Sequence, residues 1–239
     1  MERKIYGIFM AGGQGVRMGG TTPKQFIEID GKPVLQISIE KFLEACPDMT
    51  VVVVLPHSHI QTWKDLCIRN SFDCPQVITE GGMTRFHSVQ NGLRVVPDGA
   101  LVMIHDGVRP LVSVSLLREM AARGMDCPAL IPVLPVTDTL KLLDKAADGT
   151  LSTADGEDPQ RVRIYGAQTP QVFHSEQIKA AYTLGYDQTF TDDASVARKK
   201  GIPLSYILGE RYNIKLTTPD DLKVARLLLA SPSDGLPTA

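Results

Sequence analysis

Two cations beyond a bare turn are the residues whose types and spacing first suggest chemistry. Ala11-Gly12-Gly13-Gln14-Gly15 carries almost no side chains, and Arg17 and Lys24 follow it, seven residues apart. Glycines let backbone approach a ligand closely, and successive N–H groups in such a turn form an anion-binding concavity. Two cations past that concavity suit a polyphosphate. The expectation is a bound nucleoside triphosphate, with Arg17 and Lys24 neutralising charge during group transfer. Neither common phosphate motif fits. The third glycine of G-x-G-x-x-G would fall at Met18, and no window supplies G-x-x-x-x-G-K-[ST]. Taken alone, the turn would also serve as an ordinary strand-to-helix connection; Arg17 and Pro23-Lys24 weigh towards a ligand.

Two further places carry candidates. Gly81-Gly82 follows a short apolar stretch and precedes Arg85 and Ser88, so backbone can meet a ligand there, or Ser88 can bond locally within its helix. His105-Asp106-Gly107-Val108-Arg109-Pro110 is the most polar strand exit in the chain. Ligands of open α/β sheets bind beyond the carboxyl ends of strands. A carboxylate there suits a ribose hydroxyl or a hydrated Mg²⁺. The alternative is an Asp106–Arg109 ion pair that only fixes the loop. His57 and His59 have no further ligand close by in sequence and read as structural or solvated.

These candidates need elements to hold them. Ile5–Met10, Thr50–Leu55, Ala100–Ile104 and Ala129–Pro135 are apolar runs of buried-strand length. Helical spacing occupies the segments from Pro33 to Cys46, Ile60 to Asn70, Arg85 to Val95 and Val114 to Arg123. The strand-helix rhythm predicts a parallel α/β sheet in one domain over 1–230. It breaks at Asp144–Gln160, which is polar, acidic and poor in apolar residues. That stretch reads as the tip of a projecting hairpin with limbs at Thr137–Leu143 and Arg161–Tyr165. Such a hairpin buries little by itself, and pairing with a second copy would cover it. After it, Ser175 is expected to cap a helix, Asp192 and Asp193 to complement a helix dipole, and Leu204–Leu208 and Asn213–Thr217 to form strands. Thr218-Pro219-Asp220-Asp221 caps a final amphipathic helix, and 231–239 has the composition of a disordered tail.

Bulk properties narrow the function classes. The 239 residues are 43% hydrophobic and 22% charged, with a formal net charge of −2, so no global basic field points to nucleic acid. No apolar run approaches the roughly 20 residues of a membrane span, and the opening residues lack a signal-peptide pattern. Cys46, Cys67, Cys74 and Cys127 are scattered, which suits reduced thiols in a cytoplasmic protein.

The segments AGGQGVRMG (11–19), PKQF (23–26), GGMTRFHSVQNGL (81–93), HDGVRP (105–110), DTLK (138–141), AQTPQVF (167–173), TDDAS (191–195) and NIKLTTPDDL (213–222) together resemble the 2-C-methyl-D-erythritol 4-phosphate cytidylyltransferases. The resemblance runs from about Ile5 to Leu229. It implies a Rossmann-like, mostly parallel sheet of the nucleotide-diphospho-sugar transferase type, with helices on both faces and a protruding β-arm (137–165) that builds a homodimer. It implies that the acceptor's phosphate attacks the α-phosphorus of CTP, with Mg²⁺ on the triphosphate. By position, Arg17 and Lys24 match the pair at the α-phosphate. Ala11, Gly12 and Gly13 match the nucleotide cradle, and Gly82 and Ser88 the cytosine contacts. Asp106 matches a ribose or acceptor hydroxyl contact, and Lys215 a cation shared between nucleotide and acceptor. Arg109 matches an acceptor contact, while Thr139, Arg161 and Thr169 match arm-region residues that reach the acceptor phosphate in the partner's site. Met10, Gly12-Gly13, Gly107-Val108 and Tyr165 depart from the commoner pattern. Some features are shared with the ribitol-5-phosphate cytidylyltransferases, and a CTP-binding subunit without turnover is the reading from another class. TDDAS and S-V-x-N-G-L fit the isoprenoid enzyme better.

Overall fold

Alternation along single strands decides the layers. In β1 (Ile5–Met10), Phe9 meets one side of the sheet while Ile8 and Met10 meet the other. The computed structural model describes residues 3–12 and 22–230; Gly13, Arg17 and the tail at 231–239 lie outside them. A short 3-10 turn at Lys24–Phe26 leads to the hairpin β2 (Glu28–Ile29) and β3 (Lys32–Pro33). Its two-residue loop, Asp30-Gly31, has φ of 50° and 80°. Positive φ at both central residues is what a primed hairpin turn requires, and Asp-Gly supplies it.

The main sheet then alternates with helices. α1 (Val34–Ala45), β4 (Thr50–Leu55), α2 (His57–Arg69), β5 (Gln76–Glu80), α3 (Arg85–Leu93), β6 (Leu101–Asp106), α4 (Val114–Gly124) and β7 (Ala129–Pro135) follow in order. Strands β5, β4, β1 and β6 are parallel neighbours in that sequence. β8 (Leu143–Lys145) and β9 (Leu151–Thr153) form a separate hairpin. β10 (Tyr165–Ala167) and β11 (Gln171–His174) return antiparallel to β7, and β11 is also antiparallel to β6. After α5 (Ser175–Ala181) and α6 (Asp193–Lys199), β12 (Ser205–Leu208) adds parallel to β7; α7 (Pro219–Ala230) closes the described chain.

Phe9, Val51, Val53, Leu101 and Met103 pack against the apolar faces of α1, α2 and α4. Ile8, Val52, Val54, Val102 and Ile104 pack against α3, α5 and α6. Strands buried on both sides cannot alternate polar with apolar, which is why they read as continuous Val/Ile runs. α7 closes a third cluster through Ala225, with Val34, Ile37, Val108 and Leu216. The fold is the expected mostly parallel sheet with helices on both faces.

Several expectations shift. α2 starts at His57 rather than Ile60. Ser175 is the first residue of α5, not its cap, because its hydroxyl instead accepts from the Ala100 amide at 2.9 Å. Asn213–Thr217 forms no strand; Leu216 makes one backbone bond, N–H to Val108 O, and sinks into the third cluster. The segment forms a hairpin apart from the main sheet, but its strands, β8 and β9, lie almost wholly in the polar stretch, with only Leu143 from a predicted limb. Of the predicted limbs, 161–163 is a 3-10 turn and Tyr165 belongs to the main sheet. The base of the excursion is tied by Val136 N–H to Ile164 O and by Arg161 Nη1 to Thr137 O at 2.7 Å.

Candidate active site

The parallel register brings the candidates together. Met10, the last residue of β1, pairs with Val54 on one side and Asp106 on the other. Ala11 then donates its N–H to Val54 O at 3.0 Å, and Gly107 donates to Met10 O at 3.0 Å. Ala11-Gly12 therefore leaves the sheet beside Asp106. Gln25, fully buried in the 3-10 turn, donates from Nε2 to Ala11 O at 2.8 Å. A trans peptide is planar, so fixing that carbonyl sets the Gly12 N–H in the opposite direction. No described atom lies within 4 Å of where a Cβ on Gly12 would sit, so packing against the described residues does not demand this glycine. Lys24, one residue before Gln25, is half-buried at the same end.

Asp106 is the last residue of β6, which runs two residues past its expected end at Ile104 because it continues in register with β1. Lys215 Nζ lies 3.0 Å from its Oδ2, Arg109 Nε at 3.4 Å from the same oxygen, and Arg85 Nε at 4.0 Å from Oδ1. Burial would raise the pKa of this carboxyl. Lys215, Arg85 and Arg109 together outweigh burial and hold it well below the usual carboxylate range. The Asp106 N–H donates to Thr169 Oγ1 at 3.1 Å, and the Thr169 hydroxyl also lies 3.1 Å from His105 Nδ1. His105 is packed between Phe9 and Phe42, and burial lowers its pKa to about 3, so it is a neutral core residue.

The second glycine loop sits at the end of β5. Gly81 donates to Leu55 O at 2.8 Å, and Gly82 donates to Ser88 Oγ at 3.0 Å. The Ser88 hydroxyl in turn donates to Thr84 O at 2.9 Å, so the local helix bond and a hold on the loop are both present. A Cβ on Gly82 would lie 2.4 Å from His87 Cβ, which bars any larger residue without a shift of the helix.

Arg85 joins this loop to Asp106. Its guanidinium donates to both oxygens of Asp193, at 2.9 and 2.6 Å, and Asp193 is fully buried. Burial works against the Arg85 charge, but Asp193 more than offsets it and raises the pKa further above its ordinary range. Tyr182 O–H also donates to Asp193, at 2.5 Å. Asp192 is the residue that caps α6, in a capping box with Ser195, and it accepts from Gln171 Nε2 at 2.7 Å. The dipole reading therefore holds for Asp192 and understates Asp193. Nothing local in the sequence pairs residues 85 and 193, since the contact spans 108 positions.

Across 5–231, the chain matches the model of the 2-C-methyl-D-erythritol 4-phosphate cytidylyltransferase family. The chain belongs to that family. It is similar to the cytidylyltransferases of Phocaeicola vulgatus, 44% identical over 96% of this chain and 100% of that one, and of Porphyromonas gingivalis, 43% identical over 97% and 100%. A solved 4-diphosphocytidyl-2C-methyl-D-erythritol synthase from Anaerococcus prevotii superposes with a TM-score of 0.77 at 26% identity, covering 97% of this chain and 100% of that one.

Of the positions carried over from the family, Asp106, Arg109 and Lys215 form one cluster and Gly82 and Ser88 a second, while Ala11 and Gly12 leave the sheet beside Asp106, tied through Gln25 to the turn that carries Lys24. Arg109 is largely buried, and its Nη1 donates to Asn213 O at 2.7 Å, so it is committed to the wall of the site. Thr169 does not share the arm's environment: it is buried and holds the Asp106 backbone, a correction to its grouping with Thr139 and Arg161. Those two are exposed on the excursion and make no hydrogen bond or ion pair with the Asp106 cluster. Sequence reasoning passed over Gln25, Arg85 as a site residue, and Asn213. Asn213 is fully buried and donates from Nδ2 to Thr169 O at 2.9 Å, pinning the segment that carries Lys215.

Proposed function

We propose that this chain makes 4-diphosphocytidyl-2-C-methyl-D-erythritol, transferring CMP from CTP to 2-C-methyl-D-erythritol 4-phosphate and releasing pyrophosphate. It is a cytidylyltransferase by family, and that membership carries the reading. The position of Asp106 and Lys215 beside the β1 exit supports the site assigned to it. An oxygen of the acceptor phosphate forms a bond to the α-phosphorus of CTP as the bond to pyrophosphate breaks. That nucleophile is already an anion at neutral pH, so no serine, cysteine or histidine nucleophile is needed. The difficulty is bringing two anions together, which calls for positioning and charge neutralisation.

In this reading the backbone of Ala11, Gly12 and Gly13 cradles the nucleotide, and Arg17 and Lys24 neutralise charge at the α-phosphate. Gly82, held by Ser88, presents the base-binding edge. Asp106 accepts from a ribose or acceptor hydroxyl, while Lys215, with its side chain 41% exposed, keeps donors to offer a substrate phosphate. Arg109 acts chiefly by holding Asp106.

Mg²⁺ is proposed to arrive on the triphosphate. Among the described residues no cluster of three acidic, histidine or cysteine side chains is placed to hold a metal, and Asp106 already meets three cations. The donor set thus does not fit a resident ion, although Mg²⁺ commonly binds through substrate phosphates.

The excursion exposes Leu143, Leu151 and Val162, which favours a homodimer in which it covers a second copy and brings Thr139 and Arg161 to that copy's acceptor. Four free thiols fit a cytoplasmic setting. No helix among the described residues is long and apolar enough to cross a membrane.

Pyrophosphate release from CTP, 2-C-methyl-D-erythritol 4-phosphate and Mg²⁺ tests the reading. Arg17→Ala and Lys24→Ala should each lower turnover by about 10²–10³-fold, the usual loss for a donor acting in the transition state. Turnover within about threefold of the parent would remove either residue from its role.

A further inference from the structure

Gln25 lies between Lys24, which is half-buried, and Phe26, which is buried and stacks on Trp63 with ring centroids 6.2 Å apart. The backbone around it is a single tight turn, with Phe26 N–H donating to Pro23 O at 2.9 Å and Ile27 N–H to Lys24 O at 3.3 Å. The Gln25 side chain is fully buried, and its Nε2 reaches back 14 positions to Ala11 O. This bond joins the turn that carries Lys24 to the strand end that carries the glycine backbone.

Core filling does not account for a glutamine here. Its Oε1 is buried with no partner among the described residues, and an unmet buried acceptor is destabilising. Methionine has the same length and nearly the same shape, and would fill the space without that acceptor. What methionine lacks is the donor to Ala11 O.

We propose that Gln25 is a positioning residue for the transfer step, fastening the Lys24 turn to the Ala11-Gly12 backbone so that the ammonium and the phosphate cradle keep one spacing. The proposal rests on the role given to Lys24 above. Gln25 touches no reacting atom; it acts through Lys24. A misplacement on the order of 1 Å can cost about 10²-fold in rate, so a single tether of this kind has a measurable effect.

The test is a double-mutant cycle with Gln25→Met and Lys24→Ala, assayed by pyrophosphate release with CTP and the methylerythritol phosphate. Among the described residues, Gln25→Met trades one unmet acceptor, its own Oε1, for another, Ala11 O. Its urea midpoint should therefore stay level, while its kcat falls about 10- to 100-fold. In the Lys24→Ala background the same substitution should change kcat by less than about threefold, because residues that act as a unit are not additive. A merely structural role would lower the urea midpoint and persist in that background. Parental kcat in Gln25→Met, or an equal loss in both backgrounds, overturns the proposal while leaving the family reaction intact. Parental kcat in Lys24→Ala sinks the role of Lys24 and this proposal with it. Should Gln25→Met not fold, Gln25→Leu, which also lacks the donor, enters the same cycle.

Discussion

Asp106 and Asp158 each sit against a lysine, and the shorter of the two pairs is the weaker. Lys141 Nζ lies 2.5 Å from Asp158 on the excursion, and Lys215 Nζ lies 3.0 Å from Asp106 at the sheet end. Asp158 and Lys141 have side chains 45% and 61% exposed, so water and salt screen them. Asp106 is 11% exposed, meets two guanidiniums as well, and has its own backbone pinned by Thr169. Distance alone does not rank ion pairs. Desolvation and the number of simultaneous partners do, and they separate a built site from a surface contact.

Four experiments would break or sharpen that contrast. Arg85→Leu should have the largest effect on the fold. It strands the Asp193 carboxylate without a countercharge, which typically costs about 3–5 kcal/mol in urea unfolding. Arg85→Leu combined with Asp193→Leu should recover much of that loss; equal destabilisation by the single and double variants would contradict the pairing. Asp106→Asn keeps the shape of the side chain but leaves Lys215, Arg85 and Arg109 without their shared anion. Turnover should drop by about 10²-fold through misplacement of Lys215, and a steady-state rate near the parent's would deny Asp106 its place.

A smaller effect concerns His105. Its folded pKa of about 3 lies below the ordinary 6.5, because burial disfavours the imidazolium. Below pH 6.5 the unfolded chain binds a proton that the folded chain refuses, so stability present above that pH is lost as pH falls towards 3. The slope from this one group is at most about 1.4 kcal/mol per pH unit. Comparing unfolding free energies of the parent and His105→Asn at pH 7 and pH 5 should show a shallower pH dependence in the variant. Asp158→Asn is expected to do least, leaving the melting temperature unchanged by calorimetry. A clear drop would mean that the excursion is held more firmly than its exposure indicates.

Much of the fold was legible. Ile5–Met10, Thr50–Leu55 and Ala129–Pro135 were read to the residue, since strands buried on both faces leave uninterrupted apolar runs. The Asp30-Gly31 pair has the composition of the primed turn it forms. Asn213–Thr217 misled, because Ile214 and Leu216 alternate like a strand while serving a loop that packs both against the third cluster. The polar stretch from Asp144 hid β8 and β9, as three-residue exposed strands carry almost no apolar signal. In the site, Asp106, Lys215 and the two glycine loops were found from motifs. Gln25 was passed over because a glutamine between a lysine and a phenylalanine gives no sign of what its amide will reach. Asp193 was passed over because one more acidic residue after a cap looks like dipole complementarity.

By itself the sequence determined most of the segments that become strands and helices, the glycine loops at two strand exits, and the family. Each of these is written in neighbouring residues, through period, turn chemistry and ordered motifs. The Asp106–Arg109 pair was among the readings the sequence offered, but only the tertiary structure decided that Asp106 would also gather Lys215 and Arg85, that Asp193 would anchor Arg85, and that Gln25 would hold Ala11. Those contacts join residues from 14 to 109 positions apart, and what selects among them is strand register and burial, which no local pattern records.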